Sequence, residues 1–143
     1  MEPLKRVRIS RRALAHNFQL CRQQAGKAGV IALVKADAYG HVMLECARLF
    51  AGLGASGLAV ADVMEGIALR EAGLELPVYI FAGLAPQSVA AIVQYRLTPV
   101  VSDVHMLSLL ARAAEGGGTP LAVHLKVDGG MGRQGALPEE FLH

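Results

Sequence analysis

The chain has 143 residues, 53% of them hydrophobic and 18% charged, where an ordinary soluble domain has roughly 25% charged, and its formal net charge is +2. That length allows one domain with a sizeable core, and so small a charge does not mark a binder of nucleic acid or of acidic membrane surfaces. Pro3, Lys5, Arg6 and Arg8 break the apolar core a signal peptide needs; no apolar run reaches the ~18 residues of a membrane span. Cys21 and Cys46 fit neither a metal spacing nor a disulfide framework. The expectation is a cytoplasmic protein with reduced thiols.

In chain order, "KRVRIS" (5–10) alternates polar and apolar residues and predicts a short half-buried strand. Ser10 can cap the following helix, where Leu14, Phe18, Cys21 and Ala25 share a face until the stretch from Gly26 to Gly29 ends it. "VIALV" (30–34) is continuously apolar and β-branched, which suits a parallel strand buried on both faces. A helix carrying Met43, Ala47 and Phe50 comes next. "GLAVA" (57–61), "PVYIFA" (77–82), "TPVV" (98–101) and "LAVHLKV" (121–127) predict further strands. Helices marked by Val63, Ile67 and Leu74, by Val89, Ile92 and Val93, and by Val104, Leu107, Leu110, Ala111 and Ala114 join them, the last closed by the glycines from Gly116 to Gly118. "ALPEEFLH" (136–143) reads as a helix start, with Pro138 near its first turn and two acids after it.

This alternation predicts an α/β fold, a parallel sheet with right-handed crossovers in a single domain over residues 1–143. An open doubly wound sheet and part of a (β/α)8 barrel both give the pattern. A complete barrel needs ~250 residues, and the chain stops inside an expected helix, so it is expected to be the front part of something longer. The two open sheet edges of such a piece invite pairing with another chain.

In either architecture the ligand site lies at the carboxyl ends of the strands. Lys35 ends the first core strand, on the side of Ile31 and Leu33 if alternation continues. A partly dehydrated amine is more readily neutral, the form that Schiff-base chemistry needs; the bland alternative is a lysine snorkelling into solvent. In the loop after it, Tyr39 offers a phenol and Gly40 a tight turn. Lys126 ends another core strand, and Arg133 follows in the glycine-rich "KVDGGMGRQG". Two lysines and an arginine on one rim suit a carboxylate or a phosphate.

"VKADAYGH" and "HLKVDGGMGRQG" resemble the two signatures of alanine racemases, pyridoxal-phosphate enzymes of fold type III. "RISRRALAHNF" and "GLAVADVMEGIALREAGLELPVYIF" follow that family's running pattern, so the resemblance covers essentially the whole chain. It implies part of an eight-stranded (β/α)8 TIM-type barrel, about five parallel strands with helices, without the rest of the barrel or the C-terminal β-rich domain. It further implies a homodimeric racemase of L- and D-alanine that supplies D-alanine for peptidoglycan. Pyridoxal 5'-phosphate would be carried by Lys35, which would also be the base on the D-alanine side. Tyr39 would hydrogen-bond the cofactor phosphate, and Arg133 would stand near the cofactor phenolic oxygen and the substrate carboxylate. Lys126 matches a lysine often carbamylated in the family, an anion that orients the arginine. The opposing base would be a tyrosine from the second domain of a partner subunit, so this chain alone is expected not to turn over. It departs from the pattern at Val42, where the family usually has glycine, and at Gly129, where it usually has threonine.

Other classes fit less well. Gly52, Gly54 and Gly57 precede a strand, the wrong order for a dinucleotide fold. Gly130, Gly132 and Gly135 follow one, but the chain ends before an acidic partner ~20 positions on could appear. His41 and Glu45 are helically spaced without further metal ligands, so no metal is expected. Asp37, Asp62, Asp103 and Asp128 each follow a strand and read as caps or turns. A racemase or decarboxylase of larger amino acids, or a non-catalytic pyridoxal-phosphate-binding barrel, stays open beside alanine racemase.

Overall fold

The computed structural model describes residues 5–82, 84–117 and 120–141. Helix α1 (Arg11–Ala25) starts at Ser10, whose side chain accepts from the Ala13 N–H at 3.2 Å. Strand β1 (Ile31–Leu33) leads into α2 (Lys35–Gly40), a single turn, and then α3 (Met43–Gly52). Strands β2 (Gly57–Val60), β3 (Val78–Ile80), β4 (Thr98–Val101) and β5 (His124–Leu125) alternate with α4 (Val63–Glu71), α5 (Val89–Gln94) and α6 (Val104–Gly117). Short 3-10 turns stand at Pro86–Ser88 and Pro138–Phe141.

The sheet order is β1-β2-β3-β4-β5, and every pairing is parallel, with registers such as Ile31 on Gly57, Leu58 on Val78, Tyr79 on Thr98 and Val100 on His124. This decides between the two architectures. A doubly wound sheet reverses its strand order at a switch point; here each strand adds beside the last, so right-handed crossovers put every helix on one face. The five strands are an arc of a (β/α)8 barrel.

The core lies between this arc and its helices. Leu58, Leu69, Ile80, Ile92 and Leu110 are fully buried, and burying such a side chain contributes about 1.5–3 kcal/mol. Phe18 of α1 stacks on Phe50 of α3 with ring centroids 5.1 Å apart, which pins the first helix to the third. On β1 the faces separate: Ala32 is buried, while Ile31 and Leu33 are exposed on the concave side. "VIALV" is therefore covered on one face only, contrary to expectation.

The opening also differs. Residues 5–10 form no strand, and Val7 is 85% exposed. An alternating segment makes a ladder only beside a partner strand, and among the described residues it finds none. The fifth strand is shorter than "LAVHLKV" suggests, because only His124 and Leu125 pair with β4. At the other end, the expected closing glycine Gly118 of α6 lies outside the described residues.

Candidate active site

At the carboxyl ends of the strands an open cavity of about 680 Å³ gathers Leu33, Lys35, Phe81, His124, Lys126 and Arg133 in its lining. Lys35 comes from the end of β1, Lys126 from the end of β5, and Arg133 from the loop beyond it. Leu33, Phe81 and Leu125 give the cavity an apolar side, and the His124 ring lies tilted against Tyr79 with centroids 4.8 Å apart. Three cationic side chains beside apolar surface suit a small, flat, anionic molecule. Pyridoxal phosphate fits that description: its ring can lie on the apolar side and its charges can face the cations.

Tyr39 is not in this lining, and it is 58% exposed. Its position follows from an unusual backbone. Ala36, Asp37, Ala38 and Tyr39 take φ of 51°, 53°, 52° and 56°, a left-handed turn made without glycine. Each such L-residue costs roughly 1–2 kcal/mol, so the turn needs outside support. The Ala38 N–H donates to the Val34 carbonyl at 2.9 Å, and the Asp37 carboxylate accepts from the Met43 N–H at 2.7 Å, capping α3. The Ala36 N–H donates at 2.6 Å to Glu65, a residue of α4. Val42 follows at φ 69°; it points away from the Lys35 cavity, into a smaller one of about 200 Å³ beside Ile9, Leu14 and Cys46.

The Arg133 loop is closed at its base. The Asp128 N–H donates to the Ala136 carbonyl and the Ala136 N–H to the Lys126 carbonyl, both at 2.9 Å. Within it, the Asp128 carboxylate accepts from the Gly130 and Gly132 N–H groups, each at 2.9 Å. These bonds, that from Gly132 first, hold the Asp128 carboxyl below its ordinary range. The Lys126 amine donates to the Gln134 side-chain oxygen at 3.3 Å. Gly129 has open space where a Cβ would stand, so its lack of a threonine side chain is not a steric necessity.

The aspartates that follow strands act as the sequence suggests: Asp62 accepts from the Glu65 N–H at 2.9 Å, and Asp103 from the Met106 N–H at 2.7 Å. His41 Nδ1 lies 2.9 Å from the Ala38 carbonyl, and Glu45 pairs with Arg48 at 3.5 Å. Among the described residues no group of three or more His, Cys, Asp or Glu could hold a metal ion. Burial, then Asp37 and Glu45, push the Cys46 thiol up, which makes it a poor nucleophile. No helix among the described residues is long and apolar enough to cross a membrane.

The family model for the N-terminal domain of alanine racemase matches residues 9–143. The chain belongs to the alanine racemase family. The alanine racemase of Methylacidiphilum infernorum is 35% identical over 98% of this chain, which spans only 36% of that relative. The solved alanine racemase of Streptomyces coelicolor superposes with a TM-score of 0.84 at 34% identity, over 90% of this chain and 34% of that one. The histidine racemase of Leuconostoc mesenteroides reaches the same TM-score at 27% identity, over 94% of this chain and 36% of that one. The arc of strands and the Lys35 cavity thus occupy the N-terminal domain of a racemase family.

One residue at the site escaped the sequence reading. "DVME" (62–65) has the spacing of a helix capping box, and the Glu65 carboxylate is instead shared between Ala36 and Ala61. The pattern was visible; the partner across the sheet was not.

Proposed function

We propose that this chain is the N-terminal barrel segment, one domain over residues 1–143, of a pyridoxal-phosphate-dependent alanine racemase. The observation that carries the proposal is the gathering of Lys35, Lys126 and Arg133 in one cavity, within a chain of the alanine racemase family. Pyridoxal phosphate, when bound, supplies the electron sink that makes an amino-acid α-proton removable. Lys35 would hold it covalently through Nζ, and the same Nζ would take or return that proton on one face. Arg133 would bind and orient the substrate carboxylate beside the cofactor phenolic oxygen. Lys126, carbamylated, would become an anion that holds the Arg133 guanidinium in place. Tyr39 would donate to the phosphate, an assignment that rests on the family resemblance.

Inverting a stereocentre takes a second base on the opposite face. We assign that base to a part of the protein beyond this chain, in a homodimer, so the 143-residue chain by itself would not turn over. The whole protein would serve D-alanine supply for peptidoglycan in the cytoplasm.

Borohydride reduction in the presence of pyridoxal phosphate, followed by peptide mass mapping, tests the proposal. Adduct concentrated on the Lys35 peptide is the expected result. Adduct spread evenly over Lys27, Lys126 and other lysines would overturn it. A racemase of another amino acid is the second reading. Gly129 in the position of the usual threonine favours it, as does the similarity to a histidine racemase. Rates with a panel of amino acids, measured on the whole protein, separate the two.

A further inference from the structure

We infer that Glu65 is a positioning residue for Lys35, a role that rests on the reading of Lys35 as the cofactor lysine. The inference starts from the ladder between β1 and β2. Its last bond runs from the Val34 N–H to the Ala59 carbonyl at 2.8 Å. In a continued parallel ladder the Ala61 N–H would donate to the Val34 carbonyl, and the Ala36 N–H to the Ala61 carbonyl. Neither bond forms. The Val34 carbonyl accepts from Ala38 and the Ala61 carbonyl from Ala82, each at 2.9 Å. Both N–H groups left over turn to a single side chain: Ala36 donates to Glu65 Oε1 at 2.6 Å and Ala61 to Glu65 Oε2 at 2.8 Å.

Glu65 therefore ends the ladder at the point where the chain leaves the sheet. The peptide it grips joins Lys35 to Ala36, the first residue of the left-handed turn. A carboxylate suits the task because the two N–H donors reach different oxygens, Oε1 and Oε2, and an amide would offer an acceptor at only one of those places. The helix needs little from this side chain, since α4 is capped by Asp62, whose carboxylate takes the Glu65 N–H at 2.9 Å. The third helical position, where a glutamate ordinarily reaches back to the cap residue, is used here to tie β2 to the turn that carries Lys35. Without this grip the left-handed residues lose a fixed start, and the Lys35 side chain loses its fixed direction into the cavity.

Amide hydrogen exchange and lysine trapping on the 143-residue chain test this, with Glu65→Gln and, as a control for helix capping, Asp62→Ala. In the unaltered chain the Ala36 amide, on an exposed residue, should be protected against exchange by this one bond. Glu65→Gln should lower that protection about tenfold, as loss of one charge-assisted hydrogen bond does. It should also cut borohydride-trapped pyridoxal phosphate at Lys35 about fivefold or more, while adduct at Lys126 stays unchanged. Asp62→Ala should leave Lys35 trapping within about twofold, since it removes a cap and not the grip. Equal losses at Lys35 in both variants would reduce Glu65 to a helix residue and overturn the inference, as would an Ala36 amide exchanging at the open-loop rate in the unaltered chain. Should the unaltered chain trap nothing at Lys35, the proposed cofactor role fails, and the exchange at Ala36 still decides whether Glu65 fixes the turn.

Discussion

Gly135 lies so close to Asp128 that a Cβ on it would stand 2.5 Å from the Asp128 backbone nitrogen. Its φ of 139° is also one that side-chain-bearing residues rarely adopt. Both facts follow from the closure of the loop, in which residue 136 bonds back to residues 126 and 128. The glycine lets the chain double back tightly enough to set Arg133 beside Lys126.

Gly135→Ala is expected to cost about 1–3 kcal/mol, because neither the clash nor the φ can be relieved without opening the loop. Urea unfolding measures the cost. An unchanged midpoint would show that the loop closes in some other way. Gly129→Thr, where a Cβ meets nothing, should by contrast shift stability by no more than about 0.5 kcal/mol.

Arg70 holds a joint that has no bearing on the cavity. Its guanidinium donates to the carbonyls of Tyr95 at 3.0 Å, Leu74 and Leu76 at 2.7 Å and Arg96 at 3.0 Å. These carbonyls lie in the loops that enter β3 and β4, so one side chain ties two crossovers together. Burial, then Arg96, lower its pKa, a cost to the cation that the four carbonyl acceptors offset. Arg70→Met keeps much of the stem and removes every donor; it should destabilise by about 2–4 kcal/mol. Arg70→Lys can satisfy only part of the fork and should recover less than half of the loss. Lys35 trapping should be unaltered in the folded fraction of either variant, and a selective loss there would tie this joint to the site.

The strands and most helices were legible because their apolar runs and spacings follow from the fold's own geometry. "TPVV" became β4 with the same bounds, and the positions of Lys35 and Lys126 at strand ends were enough to place both at one cavity. The opening strand was misread because alternation says which faces differ, not whether a partner strand is present. The left-handed turn was not legible. Of Ala36, Asp37, Ala38 and Tyr39 only Asp37 is of a type that visits positive φ at all readily, and alanine favours the opposite hand. A contact with Glu65, distant in sequence, and a local one with Met43 impose that conformation, and with it the exposure of Tyr39 outside the cavity lining.

Val42 carries a cost without a visible return. A β-branched residue at φ 69° is strained, and at 47% exposure it buries little in exchange. Val42→Gly should raise stability by about 0.5–1 kcal/mol, the relief of strain exceeding the greater freedom of glycine in the unfolded chain. Thermal unfolding measures the gain. A loss instead would show that the contacts of Val42 with the Ile9 and Leu14 cavity outweigh its backbone strain.

The Arg133 loop should open in acid, and the sign can be worked out from Asp128. Hydrogen bonds from Gly132 and then Gly130 hold its carboxyl below the ordinary value of about 4. A group whose pKa falls on folding binds its proton more weakly in the folded state. Its contribution is therefore fully present above about pH 4 and is lost as the pH falls through the depressed folded value. Neutral pH and mildly acidic buffers should leave the loop closed. The Gly130 and Gly132 amide resonances, followed from pH 6 downward, should move together with a midpoint below the ordinary carboxylate range. In Asp128→Asn the same resonances should not titrate, while the remaining Oδ1 can still accept from both amides, as it does from Gly130 at 2.9 Å and Gly132 at 3.2 Å. A midpoint at or above the ordinary value in the unaltered chain would mean that these glycines do not hold the carboxylate, and that the loop owes its shape to the closure at Ala136 alone.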